Sequence, residues 1–217
     1  MKNFILIVAL VFFISGCSQK KSEISTASRN IVVSILPQKT FVEKIAGNDF
    51  RITVLLPPGT SPAAFSLLPS QMADIEKANL WFSMGYIGFE LSWKDKITDA
   101  NRSMKVVDLS EGLDLIAAKK ATENGRTVLT GVDPHIWLSP ALVKQMTAKI
   151  FAELIAANPA QTDKYTANYN SFIAGIDSLD TEIKSKLAPF KGRKIITFHP
   201  SLSYFAREYG IEQYSLE

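Results

Sequence analysis

The feature that most constrains the fold is an alternation. From residue 31 onward, short runs rich in β-branched residues are separated by stretches with a helical apolar period. "IVVSIL" (31–36) reads as a buried strand. "PQKTFVEKIAG" (37–47) reads as a helix with Pro37 in its first turn and Gly47 just past its end. "RITVLL" (51–56), "LWFSM" (80–84) and "KVVDL" (105–109) are predicted strands. "SQMADIEKA" (70–78) and "FELSWKDKITDA" (89–100) are the helices between them. Strands that alternate with helices are joined by crossovers, which predicts an α/β fold with a parallel sheet flanked by helices. A chain of 217 residues, 47% of them hydrophobic, is long enough for one large domain or two small lobes.

The pattern then changes. "AAKKATENGRTVLTG" (117–131) has no clear apolar period and is predicted to be an exposed loop. Ser139-Pro140 supplies a good N-cap and first helical residue. The helix it opens carries Leu142, Val143, Met146, Ile150 and Leu154 on one face. Asn158-Pro159 starts another, in which Tyr165, Tyr169, Phe172, Ile173, Ile176, Leu179, Ile183 and Leu187 recur at threes and fours. That helix is about 28 residues long, or roughly 42 Å at 1.5 Å per residue. Asn168, Gly175 and Asp180 interrupt any strict heptad, so it is predicted to pack along a larger body rather than to form a coiled coil. "KGRKIITF" (191–198) is a fresh strand and "SLSYFAREYG" (201–210) a helix ended by Gly210. A lone strand–helix unit cannot bury both faces of its strand. The sequence is therefore expected to be cut short inside a second lobe.

The first residues differ from the rest. "MKNFILIVALVFFISGCSQKK" has Lys2, an apolar run of about 11 residues and an abrupt polar switch. The run is far below the roughly 20 residues of a spanning helix and fits the core of a secretory signal. Ser15-Gly16 before Cys17, the only cysteine, resembles a bacterial lipobox. The expected outcome is cleavage after residue 16, lipidation of Cys17, and a flexible polar tether to residue 30. The protein is then exported and lipid-anchored, facing the periplasm or cell exterior. The net charge of +3 is small and dispersed, which argues against nucleic acid as a partner.

Only two histidines occur, in "GVDPHIWLSP" and "IITFHPSLSYF". His135 lies just before a helix N-cap and His199 directly follows a strand. Ligands of open α/β sheets bind beyond the carboxyl ends of strands, and neutral imidazole suits zinc and other first-row ions. Sixty-odd residues of separation carry no motif spacing, so the residues by themselves support a possible metal pair and nothing sharper.

The surrounding segments resemble the metal-binding lipoproteins (substrate-binding proteins) of zinc and manganese ABC importers. The likeness is carried by "SILPQKTFVEKIAGNDFRITVLLPPG", "PSQMADIEKANLWFSMGYIGFELSW", "DPHIWLSP" and "FHPSLSYFAREYGIEQ", in that order. It implies two α/β lobes (31–158 and 189–217, the latter incomplete) joined by one long rigid helix (159–188). It also implies one divalent ion in the cleft between them, zinc first and manganese second. Three histidines and a carboxylate commonly hold the ion in this family. His135 matches the second histidine and His199 the third, and the carboxylate falls beyond Glu217. The first histidine position holds Ala63 in "PPGTSPAAFSLLPS", and alanine has no lone pair. Glu90, at a loop-to-helix junction after the third strand, is the candidate substitute ligand. Its alternative role is to favour the helix N-terminus. Asp133 is placed behind His135, orienting the loop or the ring, and Trp137 is read as packing. The segment 117–130 holds no histidine, so a zinc-gathering role for it is not expected.

The resemblance implies a monomeric receptor that delivers its ion to an ABC permease. No nucleophile, base and orienter set points to an enzyme. A second reading keeps the fold but not the metal, as an adhesion or docking module, and rests on Ala63. A third, metal-assisted hydrolysis, requires a general base near the ion, for which only Glu90 is conceivable.

Overall fold

The computed structural model describes residues 29–62, 65–123 and 126–216. Four parallel strands form the main sheet: β1 (Asn30–Val33), β2 (Arg51–Val54), β3 (Leu80–Ser83) and β4 (Lys105–Asp108). Their order is β2-β1-β3-β4. The central strands are apolar on both faces: Ile31, Val32 and Val33 are at most 1% exposed, and all of β3 is buried. The edge strands β2 and β4 each begin with an exposed cation, Arg51 and Lys105, which marks where pairing stops.

Helices α1 (Leu36–Ala46), α2 (Pro69–Ile75) and α3 (Gly88–Ala100) make the crossovers. Because these connections are right-handed and the strand order reverses at β1, α1 lies on one face and α2 with α3 on the other. The same device starts the first two. In each, a glutamine at the third helical position accepts the N–H before the helix and donates to a strand-end carbonyl. Gln38 takes the Ile35 N–H at 2.9 Å and gives Nε2 to Phe82 O at 2.9 Å. Gln71 takes the Leu68 N–H at 2.9 Å and gives Nε2 to Leu55 O at 2.6 Å. These bonds tie helix starts to the carboxyl edge of the sheet.

The segment expected to be an exposed loop is a two-stranded antiparallel hairpin, β5 (Ala117–Glu123) and β6 (Arg126–Val132). Glu123 pairs with Arg126, so only Asn124-Gly125 lie between the strands. That dipeptide is the strongest short hairpin signal. The segment has no apolar alternation, the pattern by which a strand is read from a sequence.

Ser139 caps α4 (Pro140–Ala157) as expected, its Oγ accepting the Leu142 N–H at 3.2 Å. Leu142, Val143, Met146, Ile150 and Leu154 all face the core. The long helix is α5 (Thr162–Leu187), 26 residues or about 39 Å. Its first half packs on α1 and α4, with Phe151 stacked on Tyr169 at 4.4 Å. Its second half carries the other unit: Asp180 accepts the Tyr209 hydroxyl at 2.9 Å and pairs with Lys184 at 2.6 Å. That unit is β7 (Lys194–Thr197), α6 (Ser203–Tyr209) and β8 (Glu212–Ser215), with β7 and β8 parallel. One side of this small sheet is open, with Ile196 74% exposed and Phe198, just past β7, 71% exposed.

Candidate metal site

The carboxyl ends of β1, β2, β3 and β7 converge on one cleft of about 730 Å³. Its walls include Ile35, Leu36 and Pro37 after β1, residues 56–62 after β2, and Ile87 and Gly88 after β3. This is the switch point of the main sheet, where the strand order reverses. His135 enters from the connection between β6 and α4, and His199 from the turn after β7.

The two rings meet. Nε2 of His135 and Nε2 of His199 are 3.2 Å apart, with the rings at 77°. A first-row ion about 2.05 Å from each nitrogen would subtend about 100°, close to a tetrahedral angle. The sequence left the 64-residue separation without meaning; the fold closes it.

Asp133 lies behind His135. Its Oδ1 accepts the His135 backbone N–H at 2.9 Å and lies 2.6 Å from Nδ1. Burial opposes ionisation of Asp133, but the hydrogen bonds from His135 prevail and hold its carboxyl below the usual range. An ionised carboxylate only accepts. Nδ1 therefore donates to Asp133, and in the neutral tautomer this leaves Nε2, on the cleft side, as the nitrogen with a lone pair for a metal. Trp137, partly buried, packs 5.2 Å from the His135 ring and lines the cleft.

Glu90 is not brought to the histidines. It is 2% exposed and does not line the cleft. Its Oε1 accepts the Met84 N–H and its Oε2 the Gly85 N–H, both at 2.7 Å. Ser34, which accepts the Trp81 indole N–H at 3.0 Å, donates to it as well. Burial pushes the Glu90 carboxyl up to about 7, against these hydrogen bonds. Both oxygens are consumed in fastening the turn after β3. The turn admits no side chain at Gly85 (φ 89°), where a Cβ would lie 2.7 Å from Asp108 Oδ1. These bonds hold the turn that precedes the helix, a role set apart both from ligation and from favouring the helix N-terminus, the two alternatives weighed from the sequence. Ala63 and Cys17 lie outside the described residues. Among the described residues, no three His, Cys, Asp or Glu side chains are grouped to hold an ion.

The residue that sequence reasoning undervalued is Tyr204, 1% exposed. Its hydroxyl donates to Asp133 O at 2.8 Å and accepts the Ile116 N–H at 3.0 Å. One turn on, Arg207 donates to Asp114 O at 3.0 Å, and Glu208 accepts from the Ser139 hydroxyl. Helix α6 thus clamps the lobe bearing His199 to the loop bearing His135. The only sequence signal was a tyrosine at the start of a helix just after His199. Tyr204→Phe removes both bonds and is expected to lower stability by about 1–3 kcal/mol, measured by urea unfolding.

The ZnuA family, described as zinc-uptake complex component A, periplasmic, matches residues 31–217. The chain belongs to that family. A zinc-bound deletion mutant of ZnuA is 39% identical with a TM-score of 0.76, over 88% of this chain and 70% of that one. A putative metal-binding protein of Chlamydia muridarum is 29% identical over 212 residues, 98% of this chain and 73% of the relative. The manganese ABC transporter substrate-binding lipoprotein PsaA of Streptococcus anginosus is 27% identical over 216 residues, 96% of this chain and 67% of the relative. The family is named for zinc uptake, as is the high-affinity zinc uptake system protein ZnuA of Bacillus subtilis, 23% identical over 218 residues, 96% of this chain and 68% of the relative. Among the described residues of this member, no helix is long and apolar enough to cross a membrane.

Proposed function

We propose that the protein is an exported receptor that captures one divalent transition-metal ion between His135 and His199 and passes it to an ABC permease. The observation that carries this reading is the approach of the two Nε2 atoms to 3.2 Å, with Asp133 fixing the tautomer of one ring. Zinc comes first because the donors are imidazole nitrogens and because ZnuA relatives are named for zinc. Manganese comes second, on the likeness to PsaA. The segment 1–16 is then a signal peptide and Cys17 the lipid anchor, with the following residues as a tether that gives way to β1 at Asn30 rather than after it. PsaA is itself named a lipoprotein. The long α5 helix limits hinge motion, so capture is expected to change the lobes' arrangement only modestly.

The test is a calorimetric titration of the full-length, metal-stripped protein with zinc and then manganese. One saturable equivalent with zinc the tighter is the expected result. No saturable binding of either ion would overturn the receptor reading and favour a metal-free docking or adhesion module, which Ala63 motivates.

A further inference from the structure

Helix α6 reaches the first lobe at the mouth of the hairpin. Pairing between β5 and β6 keeps one register, in which Ala117 opposes Val132 and Lys119 opposes Thr130. The same register makes Ile116 and Asp133 the next opposed residues. The Asp133 N–H donates to Ile116 O at 2.9 Å, and an antiparallel pair joined in this way exchanges two backbone bonds. Here the second bond is not direct. The Ile116 N–H goes to the Tyr204 hydroxyl at 3.0 Å, and that hydroxyl donates to Asp133 O at 2.8 Å. A side chain of the second lobe is thus inserted into the backbone ladder of the first. With the two bonds near a tetrahedral angle at the hydroxyl, the Ile116 nitrogen and the Asp133 oxygen are held about 4.7 Å apart, against roughly 2.9 Å in a direct bond.

The insertion sits between the two imidazoles along the chain. Tyr204 follows His199 by five residues, and Asp133 precedes His135 by two. Oδ1 of Asp133 holds both the backbone and the ring of His135, so a shift of Asp133 carries His135 with it. One turn along α6, Arg207 donates to Asp114 O at 3.0 Å. The helix therefore grips the incoming strand at Asp114 and Ile116 together.

The insertion is also reversible without orphaning a backbone group. When the hydroxyl withdraws, the Ile116 N–H meets Asp133 O directly and the ladder gains the bond it lacks. Two bonds are exchanged for one, and one net bond separates the states by a factor of about five.

We propose that Tyr204 is a positioning residue for metal capture. Its hydroxyl, wedged into the Ile116–Asp133 pair, holds His135 against His199. Its withdrawal lets the ladder close, parts the imidazoles and releases the ion. The coupling is reciprocal: an ion bridging both rings favours the inserted hydroxyl as much as the hydroxyl favours the ion. This rests on the metal-receptor reading and names the contact that regulates that site.

The test compares zinc binding by full-length, metal-stripped wild type, Tyr204→Phe, Arg207→Ala and Tyr165→Phe. Tyr165 is the control. Its hydroxyl also makes two bonds, accepting from Asn158 at 2.8 Å and donating to Asp49 at 2.9 Å. Asp49 just precedes β2, at the end of the sheet away from the cleft. Competition with a zinc indicator gives the affinity, and transfer of zinc to excess chelator gives the dissociation rate. Tyr204→Phe takes both bonds from the clamped state and leaves the ladder bond of the released one. It is expected to weaken zinc binding on the order of tenfold, mainly through faster dissociation. Arg207→Ala, an exposed position that does not threaten the fold, should cost about threefold. Tyr165→Phe should bind zinc as wild type does. By NMR, the coupling across a direct hydrogen bond from the Ile116 nitrogen to the Asp133 carbonyl carbon should be absent in zinc-loaded wild type and present in Tyr204→Phe. Wild-type zinc affinity in both Tyr204→Phe and Arg207→Ala would overturn this inference and leave the receptor reading standing. An equal loss in Tyr165→Phe would overturn it too, by tracing the effect to general stability. So would the direct coupling in zinc-loaded wild type, which would show that nothing is wedged. No zinc bound by wild type would overturn both readings.

Discussion

Glu90→Ala is expected to lower the unfolding free energy by about 4 kcal/mol at pH 5. The substitution leaves the Met84 and Gly85 amides without their acceptor, and each buried unsatisfied donor costs about 1–3 kcal/mol. The Ser34 hydroxyl, already accepting from Trp81, loses its acceptor too. The cost depends on pH in a defined direction. Burial raises the folded-state pKa of Glu90 from 4.5 to about 7, so between those values the folded protein binds more protons than the unfolded chain. The contribution of Glu90 to stability is then fully present below about pH 4.5 and is lost as pH rises through about 7. The loss is on the order of 3 kcal/mol. The gap between wild type and Glu90→Ala should therefore narrow from pH 5 to pH 8. Urea unfolding at both values measures it. Equal stabilities at pH 5 would mean that Glu90 does not anchor the turn after β3. A gap unchanged with pH would place the titrating group elsewhere.

Glu90 also shows where sequence reading stops. Its position, at the junction of a strand end and a helix start, was legible from the pattern around "GYIGFELSW". Whether its carboxylate faced the cleft or the backbone was not, because a helix N-terminus and a metal both attract an anion. The outcome turns on Gly85, whose positive φ brings two amides within reach of one side chain. The strand and helix order, by contrast, was legible because the core residues repeat with the period of each element. Ile31 to Val33 and Leu80 to Ser83 are buried without alternation because they lie in the middle of a parallel sheet. The hairpin β5–β6 escaped because its segments carry no apolar periodicity.

The site was half legible. His135, His199 and Asp133 stood out by residue type and by the strand ends and caps beside them. Their convergence was implied only by the family resemblance and not by spacing or periodicity, because it depends on how α6 seats against the first lobe. That seating is made by Tyr204, Arg207 and Glu208 on one helix, side chains whose partners lie 69 to 93 residues away. Long-range polar contacts of this kind leave no periodic trace in a sequence.

The three site residues give a graded result when they are replaced. His135→Ala and His199→Ala are each expected to weaken zinc binding by a factor on the order of 10². A four-ligand structural zinc site is worth about 10–16 kcal/mol, so one imidazole accounts for about 3 kcal/mol. Asp133→Ala removes the acceptor that holds the His135 proton on Nδ1 and frees the ring to turn its N–H toward the ion. A loss of about 100-fold is expected. Asp133→Asn keeps an oxygen for both His135 bonds, since both converge on Oδ1, and removes only the charge. It should cost about tenfold, the lower end of the same range. Competition titration with a zinc indicator gives the affinities, and circular dichroism of each variant shows whether the fold is retained. The order matters more than the sizes. If Asp133→Asn weakens binding as much as Asp133→Ala, the charge and not the tautomer governs the site. If His199→Ala binds zinc as tightly as wild type, the 3.2 Å approach of the two rings is a packing contact, and the ion is held elsewhere.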